Sequence, residues 1–68
     1  MFEMMIEYNL YDDYDYNLLY FDTKEDALNM AKAYISLNDK IFYRIHIIDN
    51  SKEYGNNFVY EYYFNHKN

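Results

Sequence analysis

The fold follows from one stretch of the chain, Ile41-Phe42-Tyr43-Arg44-Ile45-His46-Ile47-Ile48-Asp49. It is rich in β-branched and aromatic side chains, which is typical of a β-strand. Side chains alternate between the two faces of a strand. One face then carries Ile41, Tyr43, Ile45 and Ile47. The other carries Phe42, Arg44, His46 and Ile48. We expect the first, more apolar face to point into the core.

Upstream, the same alternation predicts a hairpin. Residues 2–11 place Phe2, Met4, Ile6, Tyr8 and Leu10 on one face of a strand. Residues 12–15 are Asp-Asp-Tyr-Asp, turn-forming acids that interrupt the apolar pattern, which resumes over residues 16–21. We therefore expect a first strand over 2–11, a turn at 12–15 and a second strand over 16–21.

Downstream, the only glycine of the chain predicts a second hairpin. Gly55 lies beside two asparagines and separates the 41–49 stretch from an apolar run over residues 58–64. A turn about residues 53 and 54 places His46 opposite Glu61. Opposite charges at directly paired positions stabilise a sheet, so this register predicts a cross-strand ion pair between the two side chains.

Between the hairpins, residues 24–37 have the period of an amphipathic helix. Thr23 supplies an N-cap hydroxyl, and Glu25 and Asp26 oppose the positive end of the helix dipole. Apolar side chains gather in one arc: Ala27, Leu28, Met30, Ala31, Tyr34, Ile35 and Leu37. Asn38 and Asp39 are the predicted stop.

These elements predict a single α+β domain over residues 1–68 with the order ββαββ, in which one helix covers one face of an antiparallel sheet of about four strands. The predicted inward set is Met4, Ile6, Tyr8, Ile41, Tyr43, Ile45, Ile47, Phe58, Tyr60, Tyr62 and Phe64. The predicted uncovered set is Glu3, Met5, Glu7, Phe42, Arg44, His46, Ile48, Val59, Glu61 and Tyr63. Exposed apolar residues in the second set suggest a partner surface.

Composition argues against most enzymatic chemistry. The 68 residues contain no Cys, one Gly, two His and only two Ser, Ser36 and Ser51. Cysteine-based zinc sites and glycine-rich phosphate loops are therefore excluded, and neither serine lies in a nucleophile motif. We expect no catalytic residue, no metal and no cofactor, and hence a protein that is not an enzyme.

Charge narrows the possible partners. Twelve acidic residues against six basic ones give a formal net charge of -6. The basic residues are scattered singly and cannot neutralise a run of phosphates, so we expect no direct binding of nucleic acid. An acidic protein is also repelled by anionic lipid surfaces. The N-terminus lacks the basic segment of a secretory signal, so we expect a cytoplasmic protein that does not bind membranes.

Acids and tyrosines form the one constellation that suggests a site. Carboxylates held on a rigid sheet can bind the Lys and Arg groups that normally contact phosphates, and tyrosines supply large contact areas at low entropic cost. The candidate partner-binding residues are Glu3, Glu7, Tyr11, Asp12, Asp13, Tyr14, Asp15, Tyr16, Glu61 and Tyr63. The alternative is that the acids only keep the protein soluble and that the tyrosines pack the core.

In size, charge and segments such as Tyr11-Asp12-Asp13-Tyr14-Asp15-Tyr16, the chain resembles small acidic proteins of phages and mobile elements. These include DNA-mimic, anti-restriction and anti-CRISPR inhibitors. The resemblance implies a stoichiometric inhibitor that blocks the basic nucleic-acid-binding site of a target protein, in a bacterial host cell if the gene belongs to a phage. The alternative is a self-associating module that buries its uncovered sheet face in a homodimer.

Overall fold

The computed structural model describes residues 1–10, 13–37 and 41–64. These residues form the strands β1 (Phe2–Leu10) and β2 (Asp13–Phe21), the helix α1 (Lys24–Leu37), and the strands β3 (Phe42–Asp49) and β4 (Phe58–Tyr63). The four strands make one antiparallel sheet in the order β2-β1-β3-β4. The predicted α+β fold with the order ββαββ is confirmed.

The first hairpin differs from its prediction in where β2 begins. Asp13, Tyr14 and Asp15 are not turn residues, because they pair with Leu10, Asn9 and Tyr8 of β1. Nine consecutive residues of β2 pair with β1, and this pairing overrides the turn preference of aspartate. Tyr11 and Asp12 of the predicted turn lie outside the described residues.

The helix begins and ends where its sequence predicts. The Asp26 amide donates a hydrogen bond of 3.1 Å to the Thr23 hydroxyl, which confirms Thr23 as the N-cap. Ala27 and Ala31 are buried against the sheet, and their small side chains let α1 approach it closely. The predicted stop at Asn38 and Asp39 lies outside the described residues. Within the described ranges, no helix is long and apolar enough to span a membrane.

The core lies between α1 and one face of the sheet. Its buried apolar members are Met4, Ile6, Ala27, Ala31, Phe42, Ile45, Ile47 and Phe64. The outer strands β2 and β4 contribute few fully buried side chains, so β1 and β3 supply the centre of this core. Leu19 and Phe21 of β2 are partly buried and pack at its side.

A β-bulge between β1 and β3 reverses the predicted faces of two residues in β3. Glu7 pairs with Arg44 but Tyr8 pairs with Phe42, so Tyr43 is an extra residue in β3. An extra residue interrupts the alternation of side chains at that point in the strand. Phe42, predicted on the uncovered face, is therefore in the core at 7% exposure, and Tyr43, predicted inward, is 45% exposed. Both predictions were wrong.

A second bulge, in β4, likewise reverses the predicted faces of two residues. Ile47 pairs with Tyr60 and Ile48 pairs with Phe58, which leaves Val59 as the extra residue. Phe58, predicted inward, is exposed, and Val59, predicted on the uncovered face, packs against the core instead. The physical reason is again a shift in alternation that the sequence of β4 alone does not show.

Candidate functional site: the open face of the sheet

The side of the sheet opposite α1 is covered by no described part of the chain, and we call it the open face. Strand register assigns fourteen side chains to it. They are Glu3, Met5, Glu7, Tyr14, Tyr16, Leu18, Tyr20, Tyr43, Arg44, His46, Ile48, Phe58, Glu61 and Tyr63. Aromatic and charged groups of all four strands thus share one surface.

The rim of the open face is aromatic. Five aromatic side chains each expose between 47% and 60% of their surface: Tyr14, Tyr16, Tyr20, Phe58 and Tyr63. Rings also contact one another, with centroids 6.1 Å apart for Tyr14 and Tyr16. Large aromatic side chains this exposed on one face of a sheet are typical of interaction sites.

The centre of the open face is a charge cluster of Glu7, Arg44 and Glu61. Arg44 donates through Nε to Glu7 Oε2 and through Nη1 to Glu61 Oε2, the latter at 3.0 Å. Tyr14 donates from its hydroxyl to Glu7 Oε1 at 2.9 Å, and the Tyr63 hydroxyl donates to Glu61 Oε2 at 3.2 Å. Cross-strand pairing explains the contacts, because Arg44 lies opposite Glu7 on one side and Tyr63 on the other.

Contacts within the charge cluster raise the pKa of Arg44 and of Tyr14. Burial by itself lowers the pKa of Arg44, but the hydrogen bonds with Tyr63 and Glu7 and the charge of Glu7 more than reverse this, so the pKa is raised overall. The pKa of Tyr14 is raised because its hydroxyl donates to Glu7. With two carboxylates and one guanidinium, the charge cluster has a formal net charge of -1.

His46 lies opposite Glu61, as the sequence predicts, but the predicted ion pair between them is replaced by the one between Arg44 and Glu61. Burial, and next the positive charge of Arg44, lower the pKa of His46, so it is neutral at pH 7. Its Nδ1 is buried without a hydrogen bond, 3.7 Å from Glu7 Oε2.

This environment makes the stability of the protein depend on pH. A lowered pKa in the folded state means that the unfolded chain takes up a proton on His46 first, so stability is lost as the pH falls below the ordinary histidine value of about 6.5. We expect urea unfolding to give a smaller free energy at about pH 5.5 than at about pH 7.5, and His46→Gln to reduce that difference. An unchanged difference in His46→Gln would assign the effect to other groups.

The structure divides the predicted site residues into two groups. Six of them come together on the open face: Glu3, Glu7, Tyr14, Tyr16, Glu61 and Tyr63. Asp13 and Asp15 are exposed but lie on the other side of β2, because they alternate with Tyr14 and Tyr16. Tyr11 and Asp12 lie outside the described residues.

Glu7 differs from the other predicted site residues because it is only 5% exposed and both of its carboxylate oxygens accept hydrogen bonds. It therefore positions Arg44 and Tyr14 and presents no free oxygen to a partner. Glu61 is only partly covered, with 32% of its side chain exposed.

Sequence reasoning missed Leu18, Tyr20, Tyr43 and Phe58. For β2 the pattern was available, because Tyr14, Tyr16, Leu18 and Tyr20 occupy every second position. For Tyr43 and Phe58 no pattern in the sequence could have found them, since each reaches the open face through a bulge.

The open face offers contact area and fixed charges. Within the described ranges, no group of three His, Asp or Glu side chains could hold a metal ion. Comparison of the chain with protein-family models, with curated proteins and with solved structures found no match.

Proposed function

We propose that this protein is a non-enzymatic binding module whose open face binds a second protein. That partner carries a basic, nucleic-acid-binding surface, and the module blocks it in the manner of a phage-type DNA-mimic, anti-restriction or anti-CRISPR inhibitor. One observation carries the proposal: five half-exposed aromatic side chains surround a charge cluster on a face that no described part of the chain covers.

The composition of the open face supports a protein partner. Interfaces are enriched in tyrosine and phenylalanine, because these rings bury much area and lose little conformational freedom. Leu18, 38% exposed, lies on β2 among the tyrosines, next to Met5 of β1. Such a surface gains free energy when a partner covers it.

The charge of the open face supports a basic partner. Glu3, Glu7 and Glu61 outnumber Arg44, and with His46 neutral the described groups give this face a net charge of -2. The chain as a whole has a formal net charge of -6, so a basic surface is attracted over long range and the association depends on salt.

A homodimer that stacks two open faces is the second candidate, since the same exposed rings favour burial. Stacking would bring two faces of equal negative charge together, which disfavours self-association relative to a basic partner.

A matched pair of lysine variants tests the proposal. Leu18 and Met30 are 38% and 40% exposed, but Leu18 lies on the open face and Met30 on α1. Both changes add one positive charge to an exposed position. We expect Leu18→Lys to weaken partner binding by about tenfold or more and Met30→Lys to leave it unchanged.

The measurement is capture from a bacterial lysate by the tagged protein, with salt-step elution and mass spectrometry. We expect a nucleic-acid-binding protein that duplex DNA or RNA displaces. Equal capture by the Leu18→Lys variant would contradict binding through the open face. Capture of only its own untagged copies, with a dimer in light scattering, would favour the homodimer.

A further inference from the structure

A concavity of about 330 Å³ opens at the edge of the open face, between β3, β4 and the loop that joins them. Its apolar and aromatic lining comes from Ile48, Tyr54 and Phe58, and its charged and polar lining includes Arg44, His46 and Glu61. This volume is suited to one inserted side chain and is too small for an element of structure.

Local backbone features place two aromatic rings at this concavity. The bulge at Val59 turns Phe58 onto the open face. Gly55 has φ of 95° inside a turn in which the Asn56 amide donates to the Glu53 carbonyl at 2.9 Å. That positive φ is one that glycine adopts without strain, and the turn leaves Tyr54 99% exposed.

The base of the loop is tied down by Asp49. The backbone amide and the hydroxyl of Ser51 both donate to Asp49 Oδ1, at 3.0 and 2.6 Å. These two hydrogen bonds lower the pKa of Asp49. Tyr54 is therefore presented from an anchored loop, so ordering it on a partner costs less than ordering a free segment.

The charge at the concavity favours a cation. Glu61 Oε2 is already used by Arg44 and Tyr63, whereas Glu61 Oε1 accepts no hydrogen bond from the described residues. The positive charge of Arg44 is compensated by Glu7 as well as by Glu61, so the three groups together are negative. An incoming anion would meet this negative charge, while a cation finds a free carboxylate oxygen.

We infer that this concavity binds an arginine side chain of the partner protein, with the guanidinium on Glu61 Oε1 between Tyr54 and Phe58 and its aliphatic stem over Ile48. The inference deepens the proposed function and rests on it. Arginine fits better than lysine, because a planar, weakly hydrated guanidinium stacks on aromatic rings while it donates to a carboxylate.

The test uses the isolated protein and three small probes in an amide NMR titration. The probes are N-acetyl-arginine amide, N-acetyl-lysine amide and N-acetyl-citrulline amide, the last of which has nearly the shape of arginine without its charge. We expect saturable shifts at residues 48, 54, 55 and 58 with the arginine probe, weaker binding of the lysine probe, and no saturation with citrulline.

Variants assign the contacts. Glu61→Gln should weaken the arginine probe about fivefold, as for a partly exposed ion pair. Tyr54→Ala, at a fully exposed position where substitutions change stability little, should weaken binding of the arginine probe roughly two- to fivefold. Glu25→Gln removes one carboxylate from the exposed first turn of α1 and should change nothing.

Three results would overturn the inference. The citrulline probe could bind as tightly as the arginine probe, or the lysine probe could bind more tightly. Alternatively, binding of the arginine probe could be unchanged in both Glu61→Gln and Tyr54→Ala. Failure of the inference can be told apart from failure of the proposed function. If the arginine probe does not bind but Leu18→Lys still abolishes partner capture, only the arginine site is wrong. If the probe binds and no partner is captured, the proposed function is wrong.

Discussion

Replacing Phe42 with alanine is expected to unfold a large fraction of the protein, whereas replacing its neighbour Tyr43 leaves the protein folded. Phe42 is 7% exposed, and its ring centroid lies 5.3, 5.5 and 5.4 Å from those of Tyr8, Tyr34 and Phe64. Truncating a buried phenylalanine costs about 3–5 kcal/mol. A domain of 68 residues has a total stability of only about 3–10 kcal/mol, so this loss is a large share of it.

Tyr43→Ala is the matched control, because it truncates the adjacent aromatic residue of the same segment. Tyr43 is 45% exposed, and its ring contacts that of Tyr63 at 5.9 Å. We expect it to lower the free energy of unfolding by about 1 kcal/mol or less. Urea unfolding followed by far-UV circular dichroism measures both. Strict alternation along β3 predicts the opposite order, so a larger loss in Tyr43→Ala would show that the bulge does not form.

The second large effect is expected from Glu7→Gln. This change keeps the shape of the side chain but removes the charge that accepts hydrogen bonds from Arg44 Nε and the Tyr14 hydroxyl. Arg44 would keep only Glu61 as an anionic partner, while 26% of its side chain remains exposed. Hydrogen bonds to charged groups contribute about 1.5–3 kcal/mol, so we expect a loss of about 2–3 kcal/mol.

Two further variants test whether the effect of Glu7→Gln comes from its contact with Arg44: the control Glu53→Gln and a double variant. Glu53 is an exposed carboxylate in the loop between β3 and β4, and neutralising it should change stability by less than about 0.5 kcal/mol. In Glu7→Gln combined with Arg44→Gln, the loss should be smaller than the sum of the two single losses by about 1 kcal/mol or more. Additive losses would mean that Glu7 and Arg44 do not stabilise each other in solution.

Local patterns in the sequence were sufficient for the helix and for most of the strands. The bounds of α1 follow from the Thr23 hydroxyl, the acids of the first turn and the apolar arc, all within one segment. The predicted strands at 41–49 and 58–64 differ from β3 and β4 by one residue at one end. His46 pairs with Glu61, as a turn about residues 53 and 54 predicts, but Ile48 next to the loop pairs with Phe58, one residue off that register, because Val59 is an extra residue.

The candidate site was predictable only where alternation is unbroken. Glu3, Glu7, Glu61 and Tyr63 share the open face as predicted because β1 and the end of β4 keep a period of two. Tyr14 and Tyr16 join them because β2 begins at Asp13 and pairs with β1. Asp13 and Asp15 lie on the opposite face from Tyr14 and Tyr16, since these aspartates, predicted in a turn, instead continue the strand and alternate with the tyrosines. The concavity was not predictable, because it needs the bulge at Val59 and the turn at Gly55 together.

The amino-acid sequence alone was sufficient for the helix and for most of the extended segments, because propensity, capping and periodicity act between residues a few positions apart. Residues 13–15, predicted as a turn, are extended because they pair with β1. Tertiary structure alone decided which face Phe42 and Tyr43 of β3 and Phe58 and Val59 of β4 occupy. That choice depends on two bulges, and a bulge exists only when two strands pair. It also placed Arg44 between Glu7 and Glu61, residues of three different strands, so that both carboxylate oxygens of Glu7 and one of Glu61 accept hydrogen bonds within the protein.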